Sequence, residues 1–172
     1  GVAFIIPLYL TDVRGLSAIA TGLTLVVHAG ALLATMLLGG QLADRWGSRW
    51  PVIIGMSIQA GVMAYFALLP AGAPLVLIVL GLAIHGGGGG LSLAALHRAA
   101  MANVFQSEMG TVAGLYSMIR FSGMALSPAL TGVVLQRGLD HSLLPADAYH
   151  VVFWLIAGVT ALGVIAGSSL HE

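Results

Sequence analysis

Apolar positions run through this chain in long uninterrupted blocks, and the few charged positions fall between them. Residues 50–97 contain no Asp, Glu, Lys or Arg, and the run is broken only by Pro70-Ala71-Gly72-Ala73-Pro74. The break leaves two segments of about 20 residues, each long enough as a helix to span the ~30 Å hydrocarbon core of a bilayer. The same reading predicts the tail of a helix at 1–10, crossings at about 21–39, 52–69, 75–96, 111–135 and 149–167, and polar connections at 11–20, 40–51, 98–110 and 136–148. The predicted fold class is all-α, a polytopic transmembrane helix bundle of five complete helices and one truncated helix. The chain is apolar from its first residue and reads as starting within a helix, so the bundle is expected to be one part of a larger polytopic protein.

Composition strengthens this reading. Hydrophobic residues are 59% of the 172 positions and charged residues 7%, too little polar surface to cover a water-soluble globule of this size. The net charge is zero and every basic residue is Arg, which argues against a polybasic face for nucleic acid. Without Cys there is no disulfide framework and no thiolate metal site, and no cofactor or metal is expected. The 24 glycines point to close helix contacts, because helices in lipid associate through small residues that let backbones approach.

The charges also orient the bundle. Arg45, Arg49 and Arg98 fall on one side, Arg14 and Arg137 on the other, which weakly favours the first side as cytoplasmic. An offset of 92 residues aligns Gly22 with Gly114, His28 with Arg120, Gly40 with Gly132 and Arg45 with Arg137. That pattern, slight in a chain so rich in Gly and Leu, is what a three-plus-three repeat of inverted topology leaves behind.

The most polar stretch of the first half reads Gly40-x-Leu42-Ala43-Asp44-Arg45-x-Gly47-x-Arg49. Gly40 permits a close approach, Gly47 a tight reversal, and the charges anchor helix ends at the interface. The stretch resembles the signature loop of the major facilitator superfamily of secondary transporters, G-x-L-A-D-R-x-G-R-K, with Ser48 in place of the usual basic residue. Tyr9-Leu10 leading to Gly15-Leu16-Ser17, and Gly110-Thr111-x-Ala113-Gly114-Leu115 leading to Arg120, resemble the same family's helices seven to eight and eleven. Gly81-Leu-Ala-Ile-His85-Gly86 lacks the arginine typical of helix four, so the chain is similar to the second half, helices seven to twelve. The resemblance implies a missing amino-terminal half, with Asp44 at the amino end of one of its helices and Arg45 and Arg49 paired with its acids in one conformation.

Several residues inside the crossings are candidates for chemistry. His28, His85 and Arg120 are ionisable groups within apolar segments, expected to face a cavity or a partner helix; for Arg120 the competing reading is snorkelling to the interface. His97, His141, His150 and His171 fall near predicted boundaries and read as interfacial. Gly86, Gly87, Gly88, Gly89 and Gly90 form a run that neighbours must support, as a packing face or as a hinge, and Pro128 adds a second breaker in the fifth crossing.

The resemblance implies a transporter and not an enzyme: secondary active transport of small solutes by alternating access, as a proton-coupled drug or metabolite efflux antiporter. Uptake of an organic anion, with Arg120 as counter-charge, or of another metabolite is the alternative. No nucleotide-binding loop is present to suggest direct ATP drive. A remote alternative is an intramembrane serine protease built on Ser92 and His150, which requires the two at one depth. Partners implied are the missing half, the bilayer of a bacterial cytoplasmic membrane, a small-molecule substrate and protons.

Overall fold

The computed structural model describes residues 1–102, 104–141 and 144–170, and His171 lies outside them. The described residues form six helices: α1 (Val2–Asp12), α2 (Ala18–Trp46), α3 (Arg49–Leu68), α4 (Leu75–Met101), α5 (Met109–Asp140) and α6 (Pro145–Ser168). All but α1 are long and apolar enough to cross a bilayer. A helix covers each expected crossing, and most of the helices run longer than the apolar blocks. α2 continues through Trp46 and α3 begins at Arg49, so the expected loop at 40–51 shrinks to Gly47 and Ser48. Gly47 ends α2 with φ of 79°, a conformation that an L side chain resists. Polar residues of Gly40–Trp46 remain helical because helix ends can project beyond the hydrocarbon while keeping their backbone bonds.

Local chemistry sets the other boundaries. The Ser17 hydroxyl accepts from the Ala20 amide at 3.3 Å and caps α2, which begins before the expected residue 21. Pro74 precedes α4, where its fixed φ and missing N–H suit a helix start. Pro145 opens α6 in the same way, four residues before the expected start.

α4 lies between α2 and α3, α3 also packs on α6, α5 runs beside α6, and α1 touches α2, α5 and α6. The seams around α4 depend on glycine. A Cβ on Gly86 would overlap the His28 carbonyl oxygen, and one on Gly90 would overlap that of Leu32. On the other face of α4, a Cβ on Gly88 would meet the Gly55 carbonyl oxygen at 2.7 Å. The glycine run therefore stays helical by serving two neighbours at once, Gly86 and Gly90 towards α2 and Gly88 towards α3. Side chains reinforce the seams: the Thr35 hydroxyl donates to the Gly87 carbonyl at 2.9 Å, and the Gln59 amide donates to the Ser92 hydroxyl at 3.0 Å.

The larger buried cluster lies towards the end remote from Gly47. Tyr9 meets Tyr149 and Phe153 edge-on, each with ring centroids 5.5 Å apart, and Phe66 adds a third contact to Phe153 at 5.8 Å. The Tyr149 hydroxyl donates to Asp12 at 2.6 Å, and the Arg14 guanidinium donates to the Ala71 carbonyl. These contacts tie α1, α6 and the 69–74 connection together. At the Gly47 end the buried cluster is small, consisting of Ala43, Val52 and Ala95.

Candidate functional site

Two groups of candidate residues come together along the α2–α4 seam. The helices run parallel, and their contacts advance in step from His28 beside Leu82 to Ala43 beside Ala95 and Asp44 beside Arg98. Parallel running follows from topology, since α3 crosses back between them.

At the Gly47 end, Asp44 accepts from Arg98 Nε at 3.0 Å, and Arg98 Nη1 donates to the Ser48 hydroxyl at 3.2 Å. Ser48 is fully buried. One guanidinium from the last turn of α4 thus grips both the end of α2 and the turn that follows it. A basic side chain at position 48 would place a second cation in the buried space that Ser48 shares with Arg98, so the departure from the signature pattern fits this arrangement. Arg45 and Arg49 are exposed, and Gly40 and Asp44 border an open groove of about 580 Å³ on α2, lined also by Leu33, Met36 and Leu37. Of the motif residues, Gly47 shapes the turn and Asp44 makes the tertiary bond.

From the sequence, Arg98 is no more than a charge that sets orientation. Its place as the only charged residue in 50–107 is visible there, yet its partners lie 54 and 50 positions away in the chain and only the packing identifies them. Gln59 and Thr35 likewise carry no sequence signal that marks them as seam residues.

The second group is His28 with His85. Both stand ten residues after the first residue of their helices, Ala18 and Leu75, and so share a depth about 15 Å from the same end. Their ring centroids are 5.3 Å apart with planes tilted by 39°. His28 Nδ1 lies 3.1 Å from the Leu82 carbonyl oxygen, an acceptor only, so this nitrogen carries a proton and donates. His85 is 6% exposed, and its Nδ1 is buried without a hydrogen-bond partner. Gly86 makes room for this arrangement, because a Cβ there would lie 3.0 Å from His28 Nδ1 as well as against the His28 carbonyl.

The remaining candidates stand apart from both groups. Arg120 is exposed on α5, with its guanidinium carbon 5.4 Å from the centre of the neighbouring Phe121 ring. Pro128 sits within unbroken α5, where the Thr131 hydroxyl donates to the carbonyls of Ser127 and Pro128. Gly87 and Gly89 have room for a methyl group, whose nearest neighbours would lie at 3.7 and 3.6 Å. His97 packs against Tyr116, and His150 has a buried Nε2 without a partner. Ser92 is held by Gln59 and donates to the Gly89 carbonyl. It lies about 26 Å along α4 from the end at which His150 enters α6 by only about 8 Å, so the depths that a protease needs to match do not.

An apolar helix bundle whose glycine seam encloses ionisable groups defines a polytopic membrane protein. Residues 1–170 match the Major Facilitator Superfamily, and the chain belongs to that family. Its fold is accordingly that of a transporter half. Over 171 residues it is 26% identical to the MFS-type transporter YvkA of Bacillus subtilis, covering 99% of this chain and 36% of that protein. It is 25% identical to the riboflavin transporter RibZ of Clostridioides difficile, covering 95% of this chain and 38% of RibZ. It is 30% identical over 146 residues to the multidrug resistance protein Stp of Mycobacterium tuberculosis, covering 84% of this chain and 27% of Stp. The chain thus spans between 27% and 38% of the length of these relatives.

Proposed function

We propose that this bundle is the second half of a proton-coupled efflux antiporter, which moves drugs or metabolites out across a bacterial cytoplasmic membrane by alternating access. The observation that carries the reading is the exposure of α2 and α5: the bundle buries only Thr21, Thr24, Gly39 and Ala43 of α2 and only Thr131 and Leu135 of α5. Two long helices left so open are suited to closing against a second six-helix bundle, with the substrate path between them. Relatives named as a multidrug resistance protein and a drug efflux pump support the efflux assignment.

In this reading the Gly47 end is cytoplasmic and acts as the gate. Asp44 exchanges its bond to Arg98 for the amino end of a helix in the other half, while Arg45 and Arg49 meet acids there. An ion pair with Asp44 72% exposed and Arg98 39% exposed suits that exchange, since such pairs contribute ~0–1 kcal/mol and break readily. Gly87 and Gly89, where α4 is less tightly enclosed, allow the helix to bend as the halves rock.

The test is ethidium transport by the full-length protein in inverted vesicles with an imposed pH gradient. Gradient-dependent accumulation that collapses on adding nigericin is the expected result, and accumulation indifferent to the gradient would overturn proton coupling. The second reading, uptake of an organic anion, is favoured by Arg120 exposed on α5. In that case the wild-type protein takes up an organic anion saturably and Arg120→Gln abolishes that uptake.

A further inference from the structure

We propose that His28 and His85 together form a one-proton binding site at the middle of the α2–α4 seam, in which the two imidazoles act as a unit. Use of that proton in transport rests on the efflux antiporter reading; the shared site itself does not.

The geometry has four parts. The two rings share a depth and stand 5.3 Å apart, centroid to centroid, on parallel helices. The Leu82 carbonyl fixes the proton on His28 Nδ1, which leaves the lone pair of neutral His28 on Nε2. His85 presents a buried Nδ1 that nothing satisfies, in a seam where such an atom is costly. Gly86 is what lets the His28 ring lie against α4 at all, since a methyl there would strike both the His28 backbone and the ring. A lone histidine serving only as packing has no need of a second imidazole, a fixed tautomer and a glycine clearing the space.

The charge inventory around the pair restricts its occupancy. The ionisable ring that faces His85 is that of His28 from α2. α3 contributes the uncharged Gln59 and Tyr65, the latter directed at the Leu77 carbonyl, and α5 meets α4 where His97 contacts Tyr116. Among the described residues, neither imidazole forms an ion pair with a carboxylate that would neutralise a second positive charge. Two imidazolium ions at this separation repel strongly in a low-dielectric setting, so the pair takes up one proton and not two. Binding consists of a proton from water adding to an imidazole lone pair and leaving by the same route. No other bond changes.

The site is tested on the full-length protein in nanodiscs by following 15N-imidazole resonances of His28 and His85 from pH 4 to 9. Both sets are expected to move in one shared transition that accounts for one proton. Replacing His85 with Gln should displace the His28 transition to a different midpoint, and His28→Gln should do the same to His85. Two transitions that each ignore removal of the other residue, or a pair silent over the whole range, would overturn the site. If one variant fails to assemble, the wild-type spectra and the other variant still decide between these outcomes. Transport separates the two levels of the argument. A flattened pH profile of ethidium flux in His85→Gln supports the coupling role, and an unchanged profile alongside a shared transition overturns that role while leaving the proton site in place.

Discussion

Asp44 and Arg98, 54 positions apart, meet at 3.0 Å where the parallel helices α2 and α4 reach the same end of the bundle. The contact is possible because small residues let the helices approach at this end, with Ala43 packed with Ala95 and Gly39 against the backbone of Gly90 and Leu91. Arg98 also holds Ser48, so helix packing and the turn between α2 and α3 are linked through one guanidinium.

Substituting Asp44 with Asn in the full-length transporter is expected to slow turnover by roughly tenfold, as a coupling change of ~1–2 kcal/mol would do, while membrane abundance stays normal. Wild-type flux at matched abundance would remove Asp44 from the gate.

The Asp44–Arg98 pair itself is expected to contribute little to stability. A double-mutant cycle with Asp44→Asn and Arg98→Gln, read by thermal unfolding in detergent, should return a coupling energy below ~1 kcal/mol. Arg98→Gln alone should cost more than Asp44→Asn alone, because it also removes a hydrogen bond to buried Ser48.

Neighbouring glycines should respond in opposite ways to one added methyl group. Gly86→Ala drives a Cβ into the His28 carbonyl oxygen and should destabilise the bundle by ~1–3 kcal/mol, because backbone cannot yield cheaply. Gly87→Ala meets nothing nearer than 3.7 Å and should be neutral, or stabilising by a few tenths of a kcal/mol through the reduced freedom of the unfolded chain. Equal melting temperatures for the two variants would show that α4 does not depend on the close approach at Gly86.

Tyr149→Phe removes the hydroxyl that donates to Asp12 at 2.6 Å and should cost ~1.5–3 kcal/mol, the range for a hydrogen bond to a charged group. The edge-on contact with Tyr9 persists, so the loss should appear as a lower unfolding temperature without a change in helix content.

Residues 1–172 reconstituted alone are expected to insert without transporting. Saturable ethidium flux through liposomes holding only this chain would contradict the two-half arrangement.

Much of this protein is legible in one dimension because the bilayer imposes simple rules. The uncharged run 50–97 with its break at Pro70 and Pro74 dictates two crossings and a hairpin, and the spacing from Gly40 to Arg49 announces the family before any contact is known. Helix ends are less legible, since polar residues beyond the hydrocarbon continue the helix when their backbone bonds are met, as Gly40–Trp46 does. The glycine run at Gly86–Gly90 marks a site of close packing, but not which glycine faces which helix. That division depends on the rotation of α4 between α2 and α3, which side chains on all three helices determine together. The pairings Asp44–Arg98 and His28–His85 are also beyond the sequence. Each joins residues more than 50 positions apart, and only the parallel register of α2 and α4 sets them at one depth.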